Sequence, residues 1–169
     1  MTTAPDLRLR FELPSDEAFS MRLFASTRSA ELAILRGPTG ESGGLSPAQE
    51  VFLRVQVRAQ TLGYKAAYPQ AVWQIVLVGE EPVGRLIVDR GGDAIQLVDI
   101  AFLAEHRGRG LGTALLTSLL DEAAKEGRRV RLSVVRGNPA AQLYLRLGFE
   151  FLDALSDGVR DTMEWRPES

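Results

Sequence analysis

The sequence predicts a mixed α/β fold on a largely antiparallel sheet, and three observations carry that reading. Three Val- and Ile-rich runs in the middle of the chain are joined by short Gly- and Pro-containing turns. Segments with helical periodicity stand on both sides of them. The 169 residues, 45% hydrophobic and 25% charged, suit one domain over 1–169 with a full core.

The elements follow in order. Leu7 to Leu13 alternates apolar and charged residues, the period-two pattern of a half-buried strand. Pro14 stops it, and Ser15 with Asp16 and Glu17 behind it is the expected helix N-cap. The helix is predicted over Ala18 to Leu35, with Phe19, Leu23, Ala30 and Ile34 at helical spacing. Gly37 to Gly44 forms a short loop. Ser46 and Pro47, followed by Glu50, open a second helix predicted to reach Leu62 or slightly further. Val72 to Val78, Val83 to Val88 and Ile95 to Phe102 read as strands of an antiparallel meander, with turns at Gly79 to Pro82 and Arg90 to Asp93. After Gly108 the period changes, and Leu111, Leu115, Leu116, Leu119 and Ala123 mark a helix that stops at Gly127. A strand at Val130 to Val135, a helix at Pro139 to Leu147, and strands at Phe149 to Leu152 and Val159 to Trp165 complete the order β-α-α-β-β-β-α-β-α-β-β.

Composition removes several chemistries. The chain has no cysteine, which excludes disulfides, thiolate metal sites and cysteine nucleophiles. Its one histidine, His106, excludes a His-cluster metal centre. Twenty basic residues, eighteen of them arginine, against twenty-two acidic ones leave no global basic surface, so nucleic acid is not an expected partner. No run approaches the ~20 apolar residues of a membrane span, and no long apolar segment follows Arg8 and Arg10. A membrane is therefore not an expected partner either, and the expected location is cytoplasmic.

The informative segment runs from Asp99 to Thr113, where a strand enters a glycine-rich turn that opens an amphipathic helix. Backbone N–H groups in such a turn, with the positive end of the helix dipole, form an anion site. Arg107 and Arg109 add full charges. A Walker-type loop would need Gly-Lys-Ser/Thr, and this turn has no lysine. The dinucleotide fingerprint fails too, because Gly108, Gly110 and Gly112 are spaced by two throughout and Val135 and Arg136 stand where an acid is wanted.

The spacing that fits is Arg-x-x-Gly-x-Gly at Arg107, Gly110 and Gly112. Here the chain resembles the GNAT superfamily of acyl-CoA-dependent N-acyltransferases. Asn138 to Phe149 (Asn-Pro-Ala-Ala-Gln-Leu-Tyr-Leu-Arg-Leu-Gly-Phe) is similar to that family's second motif. Element order and length agree over nearly the whole chain; Ala104 departs from the proline common in relatives. The resemblance implies a splayed parallel strand pair with helices on both faces of the sheet. It also implies acetyl-CoA as co-substrate, its pantetheine arm against Ile100, Phe102 and Leu103 like an added strand. Its pyrophosphate is expected on Arg107, Gly108, Arg109, Gly110, Leu111, Gly112 and Thr113. Asn138 is an expected helix N-cap, and in relatives an Asn there also touches the cofactor.

The implied chemistry is attack of a primary amine on a thioester within a ternary complex, with no covalent enzyme intermediate. By resemblance Tyr144 is the general acid, a phenol able to donate to a thiolate of similar basicity. The backbone N–H of Phe102 or Leu103 is the expected donor to the thioester oxygen. Asp99, an acid within an apolar strand, is the candidate base, and a structural hydrogen bond is the competing role. Glu105 and His106 are expected to be solvated. Phe52, Gln56, Gln60 and Tyr64 share one face of the second helix and are candidates for the acceptor site. Metabolite, antibiotic, amino-acid and protein amines all remain open as acceptors, and a homodimer is left open. The alternative is a non-catalytic CoA-binding sensor or interaction module on the same fold.

Overall fold

The computed structural model describes residues 6–29, 32 and 44–168. Its elements are β1 (Leu7–Phe11), α1 (Glu17–Thr27), α2 (Pro47–Ala67), β2 (Val72–Val78), β3 (Glu81–Asp89), β4 (Ala94–Phe102), α3 (Leu111–Glu126), β5 (Arg129–Val135), α4 (Ala140–Arg146), β6 (Glu150–Phe151) and β7 (Arg160–Trp165). The seven strands form one mixed sheet in the order β1-β2-β3-β4-β5-β7-β6. The fold is mixed α/β, mostly antiparallel, with one parallel pair. The far end of the first expected helix and the loop at 37–43 lie outside the described residues. Contacts divide the chain into two compact units, and β2, β3 and β4 each contribute residues to both.

The first unit takes in the described residues up to Pro69, with Trp73–Leu86 and Ala101–Arg107. Its β1 pairs antiparallel with β2 from Leu7↔Val78 to Phe11↔Gln74. The expected N-cap at Ser15 is not formed. Pro14–Asp16 is a 3₁₀ turn, and Asp16 stands at the N-cap of α1 without bonding its first turn. The reason is competition, since the buried Asp16 carboxylate accepts from Arg10 at 2.7 and 2.8 Å and from the Leu13 N–H at 2.8 Å. At α2 the cap is Ser46, whose hydroxyl accepts from the Gln49 N–H while the Gln49 side chain returns to the Ser46 N–H. The rest of Gln49 is buried, and its amide donates to the Leu32 carbonyl at 2.7 Å. Helices α1 and α2 pack through Phe24 and Leu53, with Leu32 buried in the same cluster and Met21, Ala25, Phe52 and Val57 around it. Helix α2 passes Leu62 and Gly63 and ends before Tyr68-Pro69, where proline disfavours continuation.

The second unit comprises Gln70–Val72, Ile87–Ile100 and the described residues from Gly108 onward. Strands β4 and β5 pair in parallel from Ala94↔Arg129 to Leu97↔Leu132, and there the pairing ends. Strand β5 continues beside β7 to Val135↔Arg160, so β4 and β5 part while both are still extended. Helix α3 buries Leu111, Leu115, Leu116, Leu119, Leu120 and Ala123 along one face and packs on β5. It closes at Gly127, with the Arg128 N–H returning to the Ala123 carbonyl. Among the described residues no helix is long and apolar enough to cross a membrane.

Removing the Asp16 carboxylate leaves buried donors without an acceptor, so Asp16→Ala should cost about 1–3 kcal/mol of stability at neutral pH. The Arg10 hydrogen bond holds the Asp16 carboxyl below its ordinary 3.8 in spite of burial. Stability from a lowered acid is present above the unfolded pKa and is lost as pH falls through the folded one. The gap between wild type and variant in urea unfolding should therefore narrow below pH ~4; a gap independent of pH would remove the carboxylate from the account.

Candidate active site

In the second unit, the glycine turn delivers the chain into α3 through Gly110, at φ 77° and ψ 7°. That left-handed backbone strains any side chain, whereas the space around the position is open. No side chain caps α3. The first N–H groups of a helix have no partner within it, and here they are left to solvent or to an anion at the positive end of the dipole. Leu111 is buried and anchors the first turn, Gly112 is half-buried, and Thr113 is exposed. Arg109 is exposed, and its guanidinium has no partner among the described residues.

The same unit contains Tyr144, Asp99, Ile100 and Asn138. Tyr144 is 8% exposed on α4, its ring set edge-on to Phe149 at 5.8 Å. Among the described residues no buried side-chain polar atom lacks a partner. Its hydroxyl has none there and must therefore reach the residue's small exposed area. Burial, and then the negative charge of Asp99, push this phenol up to about 12. Asp99 is half-buried on β4, beyond the last β4–β5 pair, and so is Ile100. Asn138 is exposed and fills a structural role, its side-chain oxygen accepting from the Ala140 N–H at 2.9 Å at the start of α4.

The remaining expected residues lie in the first unit. Leu103 is buried, and its N–H donates to the Val83 carbonyl at 2.9 Å. That N–H is therefore occupied within the fold. The Phe102 ring lies over Gly84, where a Cβ would stand 2.4 Å from the Ala101 carbonyl oxygen and 2.7 Å from the ring; only glycine admits that approach. Arg107 does have structural partners. Its guanidinium donates to the Phe102 carbonyl at 3.0 Å and to the Ser26 carbonyl and hydroxyl at 3.2 Å, holding the end of α1. Glu105 pairs with Arg22, and His106 is sheltered rather than solvated, 3.5 Å from the Glu81 carboxylate.

The α2 stripe separates by role. Phe52 packs on the helix–helix core and Gln56 is exposed. Gln60 accepts from Arg85 at 3.0 Å, and the Tyr64 ring lies 6.2 Å from that of Trp73. The neighbouring stripe of α2, with Arg54, Arg58 and Lys65, lines a groove of about 820 Å³. Sequence reasoning missed these cations, although two arginines four apart on one helix were a legible signal. Among the described residues no three acidic or histidine side chains converge as metal ligands.

The fold has close counterparts among solved structures. The PaiA N-acetyltransferase of Thermoplasma acidophilum, solved with coenzyme A, superposes with a TM-score of 0.65 at 17% identity, covering 95% of this chain and 98% of its own. An acetyltransferase of Thermus thermophilus gives 0.64 at 23% identity, with 95% and 96% covered. An uncharacterized N-acetyltransferase of Methanocaldococcus jannaschii is 43% identical over 58 residues, which are 33% of this chain; the match spans about a quarter of that relative's length, 26%. The acetyltransferase (GNAT) family model matches residues 45–149. That match spans more than half of the sequence, from the start of α2 through the glycine turn to the end of the Asn138–Phe149 motif, and the chain belongs to this family.

Proposed function

We propose that the protein transfers an acetyl group from acetyl-CoA to a primary amine by direct attack in a ternary complex. The observation that carries this reading is the uncapped start of α3 on left-handed Gly110, in the same unit as the parting of β4 from β5. The residues fit the group: a diphosphate is the kind of anion that first-turn amides and an exposed Arg109 hold, and an unpaired strand edge accepts amide groups as an added strand does. Gly108 to Thr113 would hold the pyrophosphate, with Asn138 near it. Ile100, Phe102 and Leu103 would lie along the pantetheine arm. The Arg107 guanidinium serves the end of α1, and its contribution to the anion is long-range charge.

When bound, acetyl-CoA supplies an activated acetyl carbonyl. Asp99 is the base that takes the proton of the attacking amine. Tyr144, with its pKa near 12, is protonated throughout the neutral range and holds its proton more firmly than a free phenol. It acts first as a hydrogen-bond donor whose interaction strengthens as negative charge grows on the departing sulfur. The Phe102 backbone N–H is the donor to the carbonyl oxygen. With no cysteine in the sequence, direct attack is favoured over transfer through an enzyme thioester.

Two outcomes are expected. Gly112→Leu introduces a good helix former at a position without positive φ, so the melting temperature of the free protein should change little. Acetyl-CoA at ~100 times its wild-type Kd should raise the wild-type Tm by about 5–10 °C and the variant's by far less; an equal rise would place the cofactor elsewhere. Because the chain carries no thiol of its own, CoA release can be read with a thiol reagent against no protein background. In that assay Tyr144→Phe should lower kcat by about 10²–10⁴ with acetyl-CoA affinity retained, and the tyrosinate absorbance it removes should titrate near 12. Wild-type turnover in the Phe variant would exclude Tyr144 as the acid.

A further inference from the structure

The groove in the first unit is sorted by charge. Glu12, just past β1, and Glu17 of α1 line it on one side, while Arg54, Arg58 and Lys65 line it from α2 and Arg85 from β3. Four cations thus face two carboxylates in a chain whose net charge is −2. Arg54 and Arg58 are exposed and four residues apart, and neither guanidinium has a hydrogen-bond or ion-pair partner among the described residues. Like charges at this spacing repel, and an anion between them relieves the repulsion. The Trp73 ring, also in the lining, has Lys65 Nζ 5.8 Å and the Arg85 guanidinium 5.5 Å from its centroid. Leu13, Met21, Val57 and Leu62 supply apolar wall.

We propose that this groove binds amines carrying a carboxylate, which Arg54 and Arg58 hold while the apolar body lies against Trp73 and Val57. The arginine fork matches a carboxylate in two parallel hydrogen bonds. The acidic wall at Glu12 and Glu17 favours an ammonium and opposes a polyanion, so an amino-acid-like ligand charged at both ends is complementary where a nucleic acid is not. A volume of about 820 Å³ falls in the range of small-molecule pockets. The inference deepens the acetyl-transfer reading above by naming a ligand class, and rests on that reading only for the use of the ligand as acceptor, which the turnover measurement below tests.

The test compares two matched pairs, 4-(aminomethyl)benzoate with 4-(aminomethyl)benzamide and leucine with leucinamide. Binding is measured by calorimetry in the presence of CoA, and turnover by thiol release from acetyl-CoA. In each pair the acid should bind at least tenfold more tightly than the amide. The double variant Arg54→Gln/Arg58→Gln should bring that ratio to about one while keeping the stabilisation by acetyl-CoA. Equal binding of acid and amide, no binding of either, or a preference that survives the double variant would overturn the proposal. Acid-selective binding without thiol release would leave the anion site standing and would sink the acetyl-transfer reading instead, so the two failures are distinguishable.

Discussion

Helix α3 begins on a residue that has no side chain to cap it. A serine or aspartate before the first turn would satisfy the free amides internally, and the turn would then be only a connection. Gly110, held at positive φ, leaves the amides and the dipole unanswered. What keeps the helix from fraying is the other end of the same sequence pattern: Leu111 is buried at once, and Leu115, Leu116 and Leu119 follow it. Stability comes from the apolar face, which frees the helix start for a ligand. The parting of β4 and β5 is the companion constraint, because it exposes strand edge that a fully paired sheet would consume.

Electrostatics in the second unit divide labour between two oxygen acids. Tyr144 is buried in an apolar setting against Phe149, and the Asp99 charge disfavours a second negative charge near it. The phenol is thereby kept protonated through the neutral range. The sequence reading expected a phenol matched in basicity to a thiolate. Burial shifts it upward, which favours stabilisation of charge as it develops over early proton release.

Local pattern made most of the fold legible, since alternation, caps and turn residues act over a few positions. Val72–Val78 was readable to its ends, and Gly127 marked the end of α3. What local pattern does not show is long-range. Ser15 loses its cap role because Arg10 claims the neighbouring Asp16. Nothing local shows that Ser26, 81 positions away, takes the guanidinium of Arg107, which the resemblance places among the cofactor's ligands. On α2, periodicity placed Phe52, Gln56, Gln60 and Tyr64 on one face. Which stripe meets the groove depends on how Leu53 and Phe52 pack against Phe24, and that packing is not written in the helix itself.

The central claim is that the first-turn amides of α3 bind the cofactor's diphosphate. A titration of ¹⁵N-labelled protein with CoA, followed through amide resonances, tests it directly. Large, saturable shifts are expected at Gly110, Leu111, Gly112 and Thr113, with the core amide of Leu53 unmoved. Saturation by CoA with those four resonances unchanged would contradict it.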